Sequence, residues 1–61
     1  MPIIEVTLLE GRTIEKKEKL ISELTAASVR AIGAPIESVR VIIREVPPEN
    51  FGAAGISKAK K

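Results

Sequence analysis

Two runs rich in β-branched residues, Ile3 to Leu9 and Val39 to Val46, flank a single long segment of helical period, Ile14 to Ile32. This order constrains the chain more than any other feature. In the first run Ile4, Val6 and Leu8 fall on one face and Ile3, Glu5, Thr7 and Leu9 on the other. In the second, Val39, Val41 and Ile43 oppose Arg40, Ile42, Arg44 and Val46. Between them Leu20, Ile21, Leu24, Ala27, Ala31 and Ile32 form an apolar stripe, with Glu15, Lys16, Lys19, Ser22, Glu23 and Arg30 mostly away from it. Thr13 is placed to cap the helix start, and Glu15 and Glu18 suit the positive end of its dipole. Gly33 suits a left-handed C-terminal position and Pro35 prevents continuation. Glu10-Gly11-Arg12 breaks the first strand and Pro47-Pro48 ends the second. Strand, crossover helix and strand predict a right-handed unit with parallel strands, an α+β protomer. Alone it leaves one sheet face bare and its edges open, so that face and those edges are expected to pair with other copies.

The 61 residues are read as a single domain. Residues 3–9 are a strand, 14–32 a helix and 39–46 a strand. Residues 51–56 are a short apolar hairpin or docking segment, and 57–61 a lysine-rich tail. A chain of this length buries only about 60% of the surface that its unfolded form exposes. It has no Cys for disulfides and a single aromatic ring, Phe51, so oligomerisation is the default expectation.

The chain also has no His. This excludes a Ser-His-Asp triad, a Cys nucleophile, a zinc site of thiolates and imidazoles, and an iron–sulfur cluster. Any proton carrier must be Glu, Lys, Arg or a chain terminus. The net charge of +2 carries little weight: three of the ten basic residues, Lys58, Lys60 and Lys61, sit at the end, leaving seven against eight acids. No aromatic interleaving offers a stacking platform, so no nucleic-acid partner is expected. Met-Pro-Ile-Ile-Glu is neither a basic leader nor an apolar signal core, and no run approaches a membrane span; the chain is expected to be cytoplasmic. Gly11, Gly33, Gly52 and Gly55 make neither a P-loop nor a dinucleotide fingerprint.

Three positions stand out. Arg12 comes at the turn after the first strand and Arg40 opens the second. Each fits either a surface ion pair or a fork for a carboxylate. Pro2 fits either a rigid start or a base: removal of Met1 would leave it a secondary amine, and an α-amine titrates near ~7.7–8.0 in a peptide. Apolar surroundings such as Phe51, with Arg12 or Arg40 nearby, would disfavour its protonated form.

Met1-Pro2-Ile3, Leu8-Leu9-Glu10-Gly11-Arg12, the helix with Glu15, Lys16, Glu18 and Leu20, Ala34-Pro35, Ser38-Val39-Arg40-Val41-Ile42-Ile43, Glu45 and Phe51-Gly52 together resemble the 4-oxalocrotonate tautomerase family, collinearly from Met1 to about Gly55. The resemblance implies a β-α-β protomer that pairs into a four-stranded sheet per dimer, with three dimers forming a homohexamer. It implies a tautomerase for a small enol or dicarboxylate substrate such as 2-hydroxymuconate, with no metal and no cofactor. Pro2 would be the general base. Arg12 would hold the far carboxylate, and Arg40, from a neighbouring subunit, the near carboxylate and the 2-oxygen. Phe51 would be the apolar wall, and Leu9 and Ser38 lesser pocket positions. Ala54 stands where the family often has a second Gly, and Arg44 is an additional cation that could shift substrate preference. If Met1 is retained, the Pro2 nitrogen is an amide and cannot act as a base. The alternative is a noncatalytic oligomer of the same fold that binds small acids or partners.

Overall fold

A computed structural model describes residues 1–60. Strand β1 (Ile3–Leu9) leads through a turn into helix α1 (Ile14–Ile32), a 3-10 turn (Ile36–Ser38) and strand β2 (Arg40–Val46). β1 and β2 are parallel, in register from Ile3 opposite Arg40 to Leu9 opposite Val46. A second 3-10 turn (Pro48–Asn50), a hairpin of β3 (Gly52–Ala53) and β4 (Ile56–Ser57), and a final 3-10 turn (Lys58–Lys60) complete the chain. Lys61, the last residue of the expected tail, lies outside the described residues. No helix among the described residues is long and apolar enough to cross a membrane.

The strand alternation sets the layers. Ile4, Val6 and Leu8 of β1 and Val41 and Ile43 of β2 are half-buried, while Ile3, Glu5, Thr7, Arg40, Ile42 and Arg44 are exposed. Glu45 shares a face with Val41 and Ile43, and its Oε1 accepts from Lys17 Nζ of α1 at 3.1 Å, which identifies the face that the helix covers. β2 begins at Arg40 because the Val39 N–H donates to Ile36 O in the preceding turn. The Arg40 N–H then donates to Pro2 O at 3.0 Å and starts the ladder.

Local chemistry bounds the helix. Thr13, extended at ψ 162°, accepts from the Lys16 N–H through Oγ1, and Gly33 at φ 69° donates its N–H to Val29 O. Its covered face is narrower than the sequence stripe. Leu20, Leu24 and Ala27 are half-buried, but Ile21, Ala31 and Ile32 are exposed. At about 100° per residue, Ile14, Ile21 and Ile32 share one line, about a quarter turn round from Leu20 and Leu24. Two strands about 5 Å apart make too narrow a platform to reach that line. Ala31 is exposed for another reason: the helix is about 28 Å long and overhangs strands of about 23 Å.

No described residue is fully buried. The Cα radius of gyration is 14.4 Å, against about 10–11 Å for a compact chain of this length. The extents of 43 × 24 × 14 Å describe a thin slab with an arm. The arm packs largely on itself. Lys58 N–H donates to Phe51 O at 2.8 Å, and Ser57 Oγ donates to Pro48 O at 3.1 Å while accepting from Ala59 N–H. Pairing of Gly52 with Ser57 and Ala53 with Ile56 shifts the hairpin one residue later than the sequence pattern, since Phe51 N–H closes the preceding turn onto Pro48 O. Ser57 therefore belongs to the hairpin.

The two-residue hairpin loop, Ala54 (φ 55°) and Gly55 (φ 82°), has the positive-φ pair of a type I′ turn. Alanine is strained there, whereas Asn adopts the left-handed region readily. Ala54→Asn is expected to stabilise the arm by up to about 1 kcal/mol and Ala54→Val to destabilise it, measured as opposite shifts of the denaturation midpoint.

Candidate functional site

The parallel sheet gathers the sequence-predicted residues into separate groups. At the N-terminal ends of the strands lie Pro2, Ser38 and Arg40. Pro2 is half-buried, its carbonyl accepting the Arg40 N–H, while Met1 before it is 78% exposed. Arg40 is clasped at its other end too: Nη1 donates to Glu37 O at 2.6 Å and, at the limit of 3.5 Å, to Val39 O. Ser38 donates both its N–H, at 2.9 Å, and its hydroxyl, at 2.8 Å, to Pro35 O.

At the C-terminal ends lie Leu9 and Arg12. Glu10 N–H donates to Val46 O at 3.0 Å, carrying the pairing one residue past β1. Gly11 then adopts φ 125°, a conformation that glycine tolerates and L-residues avoid. Arg12 comes next, exposed, with Nη1 donating back to Leu9 O at 3.2 Å. From Ile3 to Leu9 an extended strand spans about 20 Å. Pro2 and Arg12 of one chain are therefore held apart by the whole length of the sheet. Phe51, half-buried, sits in the arm that leaves the C-terminal end of β2. The structure brings Pro2, Ser38 and Arg40 together, and Leu9 with Arg12, but it does not unite the two groups. Among the described residues no pocket is enclosed.

Arg44, expected as an additional cation, is paired. It forms a fork with Glu5 across the strand pair, Nη1 to Oε1 at 3.3 Å and Nη2 to Oε2 at 3.4 Å. Both side chains remain more than half exposed, at 60% and 52%. Its charge is thus matched within the sheet. Arg40, on the same face four residues earlier, is held by neutral carbonyls and has no carboxylate partner among the described residues. Sequence reading missed the carbonyls of Pro35 and Glu37 as parts of the site. The only signal was a Ser three residues after a Pro, a pattern common to many tight turns.

Similarity to known proteins bears on the family and the fold. The profile of the Tautomerase enzyme family matches residues 2–61. The chain is 59% identical over 59 residues to a probable tautomerase of Ralstonia nicotianae, covering 97% of this chain and 84% of that protein. It is 50% identical over 60 residues to 2-hydroxymuconate tautomerase of Pseudomonas putida, covering 98% and 95%. Its backbone superposes with a TM-score of 0.95 on a heterohexameric 4-oxalocrotonate tautomerase from Chloroflexus aurantiacus, at 43% identity and coverage of 98% and 97%.

The turn that presents Arg12 yields a prediction. A Cβ added at Gly11 meets nothing within 4 Å, so the cost of a side chain there is purely conformational. Gly11→Ala is expected to lower stability by about 1–3 kcal/mol. A chain made by total synthesis with D-alanine at position 11, which favours positive φ, is expected to keep it; comparing the two denaturation midpoints checks the point.

Proposed function

The chain belongs to the 4-oxalocrotonate tautomerase family, and from that premise we propose that it ketonises 2-hydroxymuconate-like dienols to conjugated 2-oxo acids through the amine of Pro2. Removal of the exposed Met1 frees that amine. The Pro2 nitrogen takes the proton of the substrate's 2-hydroxyl, the double bonds shift along the chain of carbons, and the conjugate acid returns a proton to a distant carbon. One O–H bond breaks, one C–H bond forms, and no electrons are gained or lost overall. Arg12 holds the far carboxylate and draws electron density along the conjugated system. Arg40 holds the near carboxylate and stabilises charge that develops at the 2-oxygen. Phe51 supplies an apolar wall that favours the neutral amine, with Leu9 and Ser38 beside the pocket.

The observation that carries this reading is the division of cations between the two ends of one sheet. A dicarboxylate needs two cations within a few ångströms of one base, while the chain holds Arg12 about 20 Å from Pro2. Assembly resolves this: a site takes Pro2 from one chain, and Arg12 and Arg40 from its neighbours. The bare sheet face, with Ile3 56% and Ile42 42% exposed, and the exposed line of Ile14, Ile21 and Ile32 on α1 supply apolar surface for that assembly. Six chains, paired into four-stranded sheets and joined as three dimers, fit the expectation from the family, and the Chloroflexus aurantiacus relative is itself a heterohexamer.

Pro2→Ala is expected to lower kcat/KM for 2-hydroxymuconate about 10²–10⁴-fold, the residual rate coming from the primary amine left at the new terminus. Arg12→Ala is expected to act mainly on KM, raising it roughly tenfold or more. Full activity in Pro2→Ala, or in protein that intact-mass measurement shows to retain Met1, would overturn the role of Pro2 as base, and absence of activity in Met1-free protein would leave the noncatalytic binding reading. Shared sites add a sharper outcome. Chains of Pro2→Ala and of Arg12→Ala, unfolded together in equal amounts and refolded, are expected to exceed the mean activity of the two parents at substrate concentrations well below KM, since random assembly restores about a quarter of the sites. No recovery would show that Pro2 and Arg12 serve the same site from one chain.

A further inference from the structure

We propose that Ser38 is a positioning residue that acts on the substrate only through Arg40, by closing the turn whose Glu37 carbonyl holds the Arg40 guanidinium. This rests on the reading of Arg40 given above and assigns Ser38 a role different from lining the pocket.

Pro35 is extended (φ −60°, ψ 138°) and leads into the turn Ile36–Ser38. Its carbonyl accepts both donors of Ser38, the N–H at 2.9 Å and the hydroxyl at 2.8 Å. The only other bond that closes the turn, from Val39 N–H to Ile36 O, is long at 3.3 Å. Ser38 has only one hydroxyl proton, and it is committed to Pro35. With Pro35 O and Ile36 O both occupied inside the turn, the carbonyl left over is that of Glu37, and it is this one that accepts from Arg40 Nη1 at 2.6 Å. The main chain of Arg40 is fixed separately by its N–H to Pro2 O. A long, exposed side chain is thus tethered at both ends before it reaches the site of a neighbouring chain.

The choice of partner matters as much as the tether. A carboxylate would hold the guanidinium equally well but would match its charge, as Glu5 does for Arg44. A backbone carbonyl orients the fork and leaves the charge for an anion. Of five N–H donors, those of Nη1 are directed at Glu37 O and, at the limit, Val39 O, and those of Nη2 and Nε remain for bidentate binding. A guanidinium already oriented loses less freedom when the substrate arrives, so removing the tether weakens the step that Arg40 serves.

The test uses Ser38→Ala, Ser38→Thr, Arg40→Ala and the double variant Ser38→Ala/Arg40→Ala, in Met1-free assembled protein with 2-hydroxymuconate. Ser38→Ala is expected to lower kcat/KM roughly 3- to 10-fold, the ordinary weight of one hydrogen bond. Ser38→Thr is expected to return it to within about twofold, because the hydroxyl is restored. In the Arg40→Ala background Ser38→Ala is expected to cost nothing further. An independent readout is the NMR order parameter of the Arg40 Nε–H, which is expected to fall in Ser38→Ala and recover in Ser38→Thr. The same fold-loss in the presence and absence of the Arg40 guanidinium, or an unchanged order parameter, would overturn the inference while leaving the proposed function intact. Undiminished activity in Arg40→Ala alone would instead overturn the role of Arg40, and this inference with it.

Discussion

A single helix laid on two parallel strands has no interior, and the rest of the molecule answers to that fact. Every apolar side chain at the α1–sheet junction has neighbours on one side only, so half-burial is the most that Leu20, Leu24, Val41 and Ile43 reach. The opposite sheet face carries Ile3, Leu9, Ile42 and Val46 together with the Glu5–Arg44 fork. Hydrophobic stabilisation scales with the area withdrawn from water, and this slab withdraws little of it alone. In the proposed assembly the missing burial comes from further chains. Any copy that covers the bare face also dries the Glu5–Arg44 pair. That turns a weak exposed contact into one whose desolvation must be met by its geometry and by added hydrogen bonds.

The same topology sorts the chemistry. Parallel strands put like ends together, so the N-terminal end of the sheet collects the residues just before or at the start of β1 and β2, namely Pro2, Ser38 and Arg40. The C-terminal end collects those at or beyond the strand ends: Leu9, Arg12 and, through the arm, Phe51. A crossover unit cannot bring these ends within reach of one small molecule, because the strand between them is rigid and about 20 Å long. The shortage of core and the separation of site residues are therefore one problem, and in the proposed assembly one solution meets both. Neighbouring copies cover the bare surfaces and carry the distant cation to the amine.

The elements of this fold were legible wherever short-range chemistry decides them. Thr13 and Gly33 bound the helix through bonds within four residues, and alternation in β1 and β2 assigned each side chain to a face before their register was known. Legibility failed where the deciding quantity lies off the segment. Helical period places Ile21 and Ile32 in the stripe, but only the width and length of the platform beneath decide whether they are covered. Arg44 read only as an additional cation, without its partner, because Glu5 is 39 residues away and the pairing depends on the strand register. For the site, the residues alone left Pro2, Arg12 and Arg40 open between structural and chemical roles. The collinear resemblance over the chain, not any single position, gave them proposed roles. The carbonyls of Pro35 and Glu37 were invisible because backbone groups leave no letter in a sequence.

A chain without His or Cys is thrown back on groups that ordinary acid–base enzymes do not use, and each has its own difficulty. A terminal amine is basic near neutral pH without help, but a terminus is also the part of a chain least held in place. Here Pro2, which carries the amine in the proposed function, is anchored through its own carbonyl, which accepts the N–H that opens β2, so that removal of Met1 would free the nitrogen while the rest of Pro2 belongs to the sheet. The arginine that supplies that N–H is in turn oriented by carbonyls that leave its charge intact. In the proposed assembly, the amine that a chain lends to one site and the guanidinium that it lends to a neighbouring site are thereby tied to the same strand end by bonds to neutral backbone carbonyls. A carboxylate in either place would hold the groups equally firmly but would also match the positive charge on which the binding of a dianion depends.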